Sequence, residues 1–465
     1  MKKFRKISAV TLSLSLCFLA GCGTPSYDGF QFPPSKQSTL KPLTTGGYYI
    51  ERNYDGVEPT VEKTESTVSS ADGICVIEKK KSYYDVTLDC ENSTPSQRGA
   101  AYAEAILKMC PTYKTDLDGY IFDLTEMLMI KEDMYDDVTL GMNVLKNSLD
   151  TDYREELEAF AEKMSSGVHG IKKDGKLSFE EAAVASMVPD LLRITACSAI
   201  TANGNKTESG HRIAVRVLEW DLGSKNQLSK FHSVVHFKNY DSSFTSIGLL
   251  GTLNTVTGIN CHGLMVGELD VGSAHSAKFQ VEGKTCFSYD LRKIMETYTN
   301  AKDAAEFIAG RSSVHTYNVN IYLADDKDAF DIEDVVSKED GKTVIRDGNT
   351  ELLDGLTWKD PDILCLVNSF VTKGNADKIT EDKNNLVRWR KYESLFTSET
   401  EKLSVTRVKE LMASEKIIDS SLINIRSEGV VHLIVTDFAT HKVQAIFGGE
   451  EATDDPEWID LGKLY

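Results

Sequence analysis

The hydrophobic period of this chain changes once, near residue 194, and that change limits the folds open to it. Before it, apolar residues recur mostly at helical spacing; after it they alternate or gather in short runs bounded by turn residues. Upstream, Thr94-Pro95 opens a helix over Gln97–Met109, with a hydroxyl cap, a proline in the first turn and Pro111 beyond the end. Residues 116–149 continue at helical spacing. Tyr153–Met164 is amphipathic, with Leu157, Phe160 and Ala161 on one face. Ser178-Phe179-Glu180-Glu181 has capping-box form, and Pro189 is expected to help close the helix that it starts. Only Tyr48–Glu51 and Ile74–Cys90 alternate as strands in this part.

Downstream, strand-like runs occupy Ile194–Thr201, Ile213–Trp220, Val234–Phe237 and Gly263–Leu269. Helices are expected at Tyr289–Tyr298 and Lys302–Gly310, strands at Val319–Ala324 and Ile363–Val367, and helices at Leu386–Phe396 and Val405–Met412. Strands at Val430–Thr436 and Lys442–Phe447 close the chain. Blocks of strands separated by paired helices predict an α+β sandwich with an α-rich N-terminal part, not a parallel doubly wound sheet.

The first residues point to export. Lys2, Lys3 and Arg5 precede a short apolar stretch, Ile7–Leu19, and Leu19-Ala20-Gly21-Cys22 follows. The stretch is too short to span a bilayer and reads as a secretory leader over 1–21. Small residues before a cysteine resemble a bacterial lipobox, which implies lipid on Cys22, a membrane tether over 22–45 and an extracytoplasmic face. An α-rich part over 46–196 and a strand-rich core over 197–465 complete the expected organisation.

The formal net charge is −19, without a local basic patch, so binding to nucleic acid through phosphates is disfavoured. No cysteine or histidine spacing suggests a metal site. With Cys17 in the leader and Cys22 at the lipid position, an odd number of the nine cysteines remains. Cys75 and Cys90 flank a strand-like stretch and can be considered as a disulfide pair. The acidic stretch Asp325–Asp328 reads as a solvated loop.

A cysteine in an apolar strand is ordinarily an inert core thiol. Cys197 differs in its setting. It begins a hairpin whose turn carries Asn203-Gly204-Asn205 and Gly210, and whose return strand carries Arg216 and Glu219. A guanidinium beside a thiol favours the thiolate. Positions three apart lie on opposite faces of a regular strand, so Arg216 and Glu219 serve one site only at a strand end or bulge.

Cys197-Ser198-Ala199, a hairpin, then Arg216-Val217-Leu218-Glu219-Trp220 resembles the N-terminal-nucleophile (Ntn) hydrolases, in the branch of penicillin acyltransferase, acid ceramidase and choloylglycine hydrolase. Further likenesses follow in order along residues 95–450. Glu155–Glu162 is similar to the helix before the nucleophile, and Gly258-Ile259-Asn260-Cys261-His262-Gly263-Leu264 to a strand entry. Asn318–Ile321 through Ile332-Glu333 is similar to the next hairpin, and Val431–Asp437 to a late strand. Leu366-Val367-Asn368-Ser369 matches the place of an oxyanion-hole asparagine, and Asn385-Leu386-Val387-Arg388 that of an active-site arginine, with Arg390 nearby. The chain departs from the family pattern at Val217, where asparagine is usual, and at Glu219, where aspartate is usual; Asp221 is an alternative to Glu219.

The resemblance implies a four-layer αββα sandwich and autocatalytic cleavage at Ala196–Cys197. Cys197 would be the nucleophile, its freed α-amine the base, Asn368 the oxyanion donor, and Arg216, Glu219 and Arg388 the supports. The substrate implied is a small-molecule acyl amide, cleaved by hydrolysis or passed to an amine acceptor, with no metal or cofactor. A papain-like enzyme would place its cysteine at a helix start with a separate histidine base, and none of the nine histidines has such a setting. The alternative is an uncleaved, inactive lipoprotein of the same fold acting as a binding protein.

Overall fold

The computed structural model describes residues 38–42, 48–52, 66–128, 134–191, 197–223, 225–271, 281–336, 338, 341–358, 360–375, 379, 383–397, 399–414, 430–448 and 457–465. The leader, Cys22, most of the tether and the Ala196 side of the expected cleavage bond lie outside them. Ser38–Pro42 (β1), inside the stretch read as a tether, pairs antiparallel with Tyr48–Arg52 (β2).

The run 74–90 forms a meander of β3 (Thr67–Ser69), β4 (Cys75–Lys79) and β5 (Tyr84–Asp89). Register sets Cys75 opposite Leu88, and Cys90 lies past the strand end. Both are free thiols, so the disulfide considered for them is not formed.

Next comes α1 (Pro95–Met109), closed at its start by a Thr94–Gln97 capping box. The expected helical region 116–149 is two helices, α2 (Tyr113–Leu128) and α3 (Met134–Ser148). After α4 (Thr151–Met164), the Ser178–Glu181 capping box opens α5 (Phe179–Ala185). Pro189 does not close α5. It lies in the first turn of α6 (Val188–Leu191), where a missing backbone N–H costs nothing.

Gly99 lets α1 lie directly on α4, since a Cβ there would stand 2.0 Å from the Glu156 carbonyl oxygen. The buried Glu156 carboxylate then bolts the α-rich part to the core. It takes Arg98 Nε at 3.0 Å and Arg292 Nη1 at 2.5 Å, and Arg292 also donates to the Leu253 carbonyl. Every member of this group is paired, which a buried ion cluster requires.

The remaining strands are β6 (Ser198–Ala202), β7 (Ile213–Glu219), β8 (His232–Lys238), β9 (Phe244–Leu249), β10 (Thr257–Asn260), β11 (Met265–Asp270), β12 (Val319–Ala324), β13 (Ala329–Asp334), β14 (Val344–Arg346), β15 (Ile363–Leu366), β16 (Val430–Asp437), β17 (Lys442–Phe447) and β18 (Ile459–Lys463). Between them run α7 (Phe287–Thr297), α8 (Ala301–Ala309), α9 (Lys383–Thr397) and α10 (Val405–Ser414). A ten-stranded sheet has the order β14-β13-β12-β11-β10-β9-β8-β5-β4-β3, with one parallel junction, β5 with β8. A six-stranded antiparallel sheet has the order β15-β6-β7-β16-β17-β18.

Alternation fixes the layers. Thr257 of β10 meets His432 of β16, whereas the next residue, Gly258, faces Met295 of α7. The six-stranded sheet and α7 therefore cover opposite faces of the ten-stranded sheet. Ile200, Val215, Val217 and Leu433, on the far side of the six-stranded sheet, join one core with Trp389, Tyr392 and Phe396 of α9 and Leu411 of α10. The result is the four-layer α+β sandwich: helix, sheet, sheet, helix. Asp325, expected in a solvated loop, is buried. Its carboxylate accepts the backbone N–H groups of Lys327, Asp328 and Ala301 and so fixes the β12–β13 turn onto α8.

Candidate active site

Cys197 immediately precedes β6, at the head of the β6–β7 hairpin. Ser198 pairs with Val217 and Ala199 with Arg216. Ala199, Ala214 and Leu218 face the core between the sheets, whereas Ile200, Val215 and Val217 face α9. Cys197 belongs to the first group and is fully buried.

Arg216 shares that inner face and is fully buried. Its Nη2 lies 3.4 Å from Cys197 Sγ and also donates to the Glu268 carbonyl of β11. Its Nη1 donates to the carbonyls of Val217 and Ser198. The guanidinium thus crosses from one sheet to the other at the thiol. The crossing depends on Gly267, because a Cβ there would stand 2.9 Å from both Cδ and Nε of Arg216. Burial pushes the Cys197 thiol above its ordinary pKa, and the Arg216 charge works against that rise.

A second group approaches from α9 and the turn after β15. Arg388 Nη1 donates to the Cys197 carbonyl at 2.7 Å, and its Nη2 to Asn368 Oδ1 at 3.0 Å and to Asn385 Oδ1. Asn385 also bonds the Asn368 backbone at both N–H and carbonyl. Asn368 Nδ2 donates to the Asp270 carbonyl at 2.6 Å. Two register partners hold this turn in place. Asn320 donates to the carbonyls of Val367 and Ser369, and Glu333 accepts the N–H groups of Val371 and Thr372.

The structure therefore brings Cys197, Arg216, Asn368 and Arg388 together. Glu219 meets the thiol through its backbone, its carbonyl lying 3.8 Å from Cys197 Sγ. The charge of Glu219 also raises the pKa of the Tyr392 hydroxyl of α9, after burial and against a hydrogen bond with Ser198. Glu219 is the last residue of β7 and lies opposite the register shift that β16 makes between Val430 and His432, the strand-end setting in which both residues can serve one site. Cys22 lies outside the described residues.

A cavity of about 70 Å³ is lined by Leu218, Trp220, Leu249, Val256, Val431 and Glu268 among others, and the Glu268 carbonyl is the one that Arg216 Nη2 reaches. Glu268 is buried, and its charge raises the Cys197 pKa. Asn385 and Glu268 were not foreseen as site residues. Two signals mark them: Asn385 and Arg388 stand three apart on one helix face, and Glu268 is a charge beside a glycine in a mostly apolar run that it shares with Asp270. Among the described residues, no cluster of metal-ligating side chains is present and no helix is long and apolar enough to cross a membrane.

No family profile and no curated protein matches the sequence. Among solved structures, the chain is similar to an N-acylethanolamine-hydrolyzing acid amidase ortholog of Caenorhabditis elegans, at 16% identity and a TM-score of 0.36, over 52% of this chain and 92% of that one. It is also similar to two variants of conjugated bile acid hydrolase from Clostridium perfringens, at 10% identity and TM-scores of 0.36 and 0.34, over 57% of this chain and 92% of each of theirs. Likeness at this level decides neither family nor activity.

Proposed function

We propose that the chain is a cysteine amidohydrolase or acyltransferase of the N-terminal-nucleophile type, carried on the outer face of a membrane by lipid on Cys22. The observation that carries this reading is the doubly held Cys197, with one guanidinium on its sulfur and another on its carbonyl. In the precursor, Sγ attacks the Ala196 carbonyl carbon, the acyl group moves from nitrogen to sulfur, and water hydrolyses the thioester. This frees the Cys197 α-amine, whose reference pKa of about 8 suits it as a base at neutral pH.

In turnover the amine takes the thiol proton, and the thiolate attacks the substrate carbonyl. Asn368 Nδ2, which carries a second N–H, donates to the oxyanion, an interaction commonly worth about 3–4 kcal/mol in the transition state. The α-ammonium returns its proton to the leaving amine. Water or an amine acceptor then takes the acyl group from sulfur. The acyl part is assigned to the mostly apolar cavity that Leu218 and Glu268 help to line.

The test uses a panel of N-acyl aminocoumarins of increasing chain length, with the mass of the Cys197-containing chain read during turnover. Aminocoumarin release, an acyl adduct on that chain and loss of both in Cys197→Ala are expected. No release and no adduct in protein already cut before Cys197 would defeat the reading. The departures from the family pattern at Val217 and Glu219 favour a second reading, an uncleaved binding protein of this fold. It predicts saturable ligand binding by an intact chain that turns nothing over.

A further inference from the structure

Between the two sheets, behind Arg216, lies a group that the proposed chemistry does not use. Arg216 engages Nη1 and Nη2, yet its Nε–H is a buried donor with no hydrogen-bond partner among the described residues. His432 of β16 is fully buried, with Nε2 at 3.1 Å from Thr257 Oγ1 and Nδ1 likewise without a partner. The structure puts these two atoms in one neighbourhood. Arg216 Nε stands over Gly267, the register partner of Gly267 is Thr257, and Thr257 holds the His432 ring. On the facing sheet, Leu218 and Ile434 pair with His432 and Arg216 across adjacent strands.

Two buried polar atoms left unmatched are each destabilising, so a native structure ordinarily pairs them. One is a donor. The other is an acceptor wherever the imidazole is neutral with its proton on Nε2. Burial, then the Arg216 charge and then His232 push the His432 pKa far down, which keeps the ring neutral. The titratable groups that face the pair are His232 of β8 at His432, and Cys197 and Glu268 at Arg216. His232 Nε2 meets the Gly448 carbonyl and its ring stacks on Phe447, while its Nδ1, like that of His432, has no partner among the described residues.

We propose that His432 is the positioning residue for Arg216. Its Nε2–H donates to Thr257 Oγ1, and its Nδ1 accepts from the Arg216 Nε–H through one bridging water. This completes the hydrogen-bond set of the guanidinium and holds Nη2 on the Cys197 sulfur. The role is defined by the Arg216–thiol contact, and it rests on the proposed function only for its effect on turnover.

Two measurements test it. Nitrogen-15 NMR of the imidazoles in the unaltered protein should show His432 protonated on Nε2, with Nδ1 as a hydrogen-bonded acceptor that becomes unbonded in Arg216→Met. A His432 proton on Nδ1, or a signal indifferent to Arg216→Met, overturns the proposal. The second follows Cys197 alkylation against pH in His432→Leu and in His432→Asn, whose amide oxygen replaces the Nδ1 acceptor. The Leu variant should carry about tenfold less thiolate at a fixed pH below the midpoint, and the Asn variant should restore most of it. A role in packing alone would lower the melting temperature of both variants and leave the alkylation midpoint where it was, which also overturns the proposal. Failure of the hydrolase reading would look different: no chain cut in any variant, with the imidazole signature intact.

Discussion

Replacing Gly267 by alanine tests the geometry at the thiol without touching a functional side chain. The new Cβ would stand 2.9 Å from Cδ and Nε of Arg216 and 3.5 Å from Tyr322 Cδ1, so something must move. Arg216 is not a floppy surface chain: it is fully buried and tied to four groups on both sheets. Overpacking of this kind costs about 1–3 kcal/mol in stability. The larger effect is local. Pushing the guanidinium off the sulfur forfeits a charge-assisted contact of roughly 1.5–3 kcal/mol, or about ten- to a hundredfold in the rate of any step that needs the thiolate. The assay is pulse-chase maturation of the precursor, read beside the circular dichroism spectrum and melting temperature. A folded Gly267→Ala protein should mature at least tenfold more slowly than wild type. Wild-type maturation and turnover in that protein would refute the claim that Arg216 must cross the sheets at this point.

Three further outcomes follow from the same packing and charge. Gly119→Ala, inside α2 with only an ordinary 3.6 Å contact to Gln227 Nε2, should raise stability by about 0.5–1 kcal/mol in urea unfolding. Gly99→Ala should lower it by about 1–3 kcal/mol or more, since its Cβ would strike the Glu156 carbonyl at 2.0 Å and part α1 from α4. Asp190, fully buried and bonded to Ser288, is pushed by burial from 3.8 up to about 7. The fold therefore keeps a proton there that the unfolded chain has lost, so its contribution to stability falls as pH rises from about 4 to about 7. Asp190→Asn should flatten that part of the melting temperature–pH curve, and an unchanged slope would contradict the assignment.

Much of the fold was legible because its signals are local. The Thr94 cap with Pro95 and the Ser178–Glu181 box are complete within four residues, and both helices follow them, the first starting at Pro95, two residues ahead of the expected Gln97. Pro189 misled for the same reason, since a proline marks the end of one helix and the first turn of another equally well. Strand β9 was not foreseen, and β10 only as the strand entry at Gly258–Leu264, because serine, threonine and glycine across 244–260 dilute the alternation that burial between layers imposes.

The site divides in the same way. Cys197 and Arg216 meet through a hairpin that the sequence displays, whereas Glu268, Gly267 and His432 reach them from other strands. Only the stacking of the two sheets makes those residues neighbours. Asn385 lay within a recognised stretch, but its bonds to Asn368 depend on how α9 docks beside the turn after β15.

The central claim is that Cys197 becomes a chain terminus. Intact mass and N-terminal sequencing of the purified soluble domain test it directly, with Cys197→Ala beside the unaltered protein. The account predicts two chains, the second beginning at Cys197, and a single uncut chain in the variant. One intact chain in both proteins, at every pH and time sampled, would contradict it.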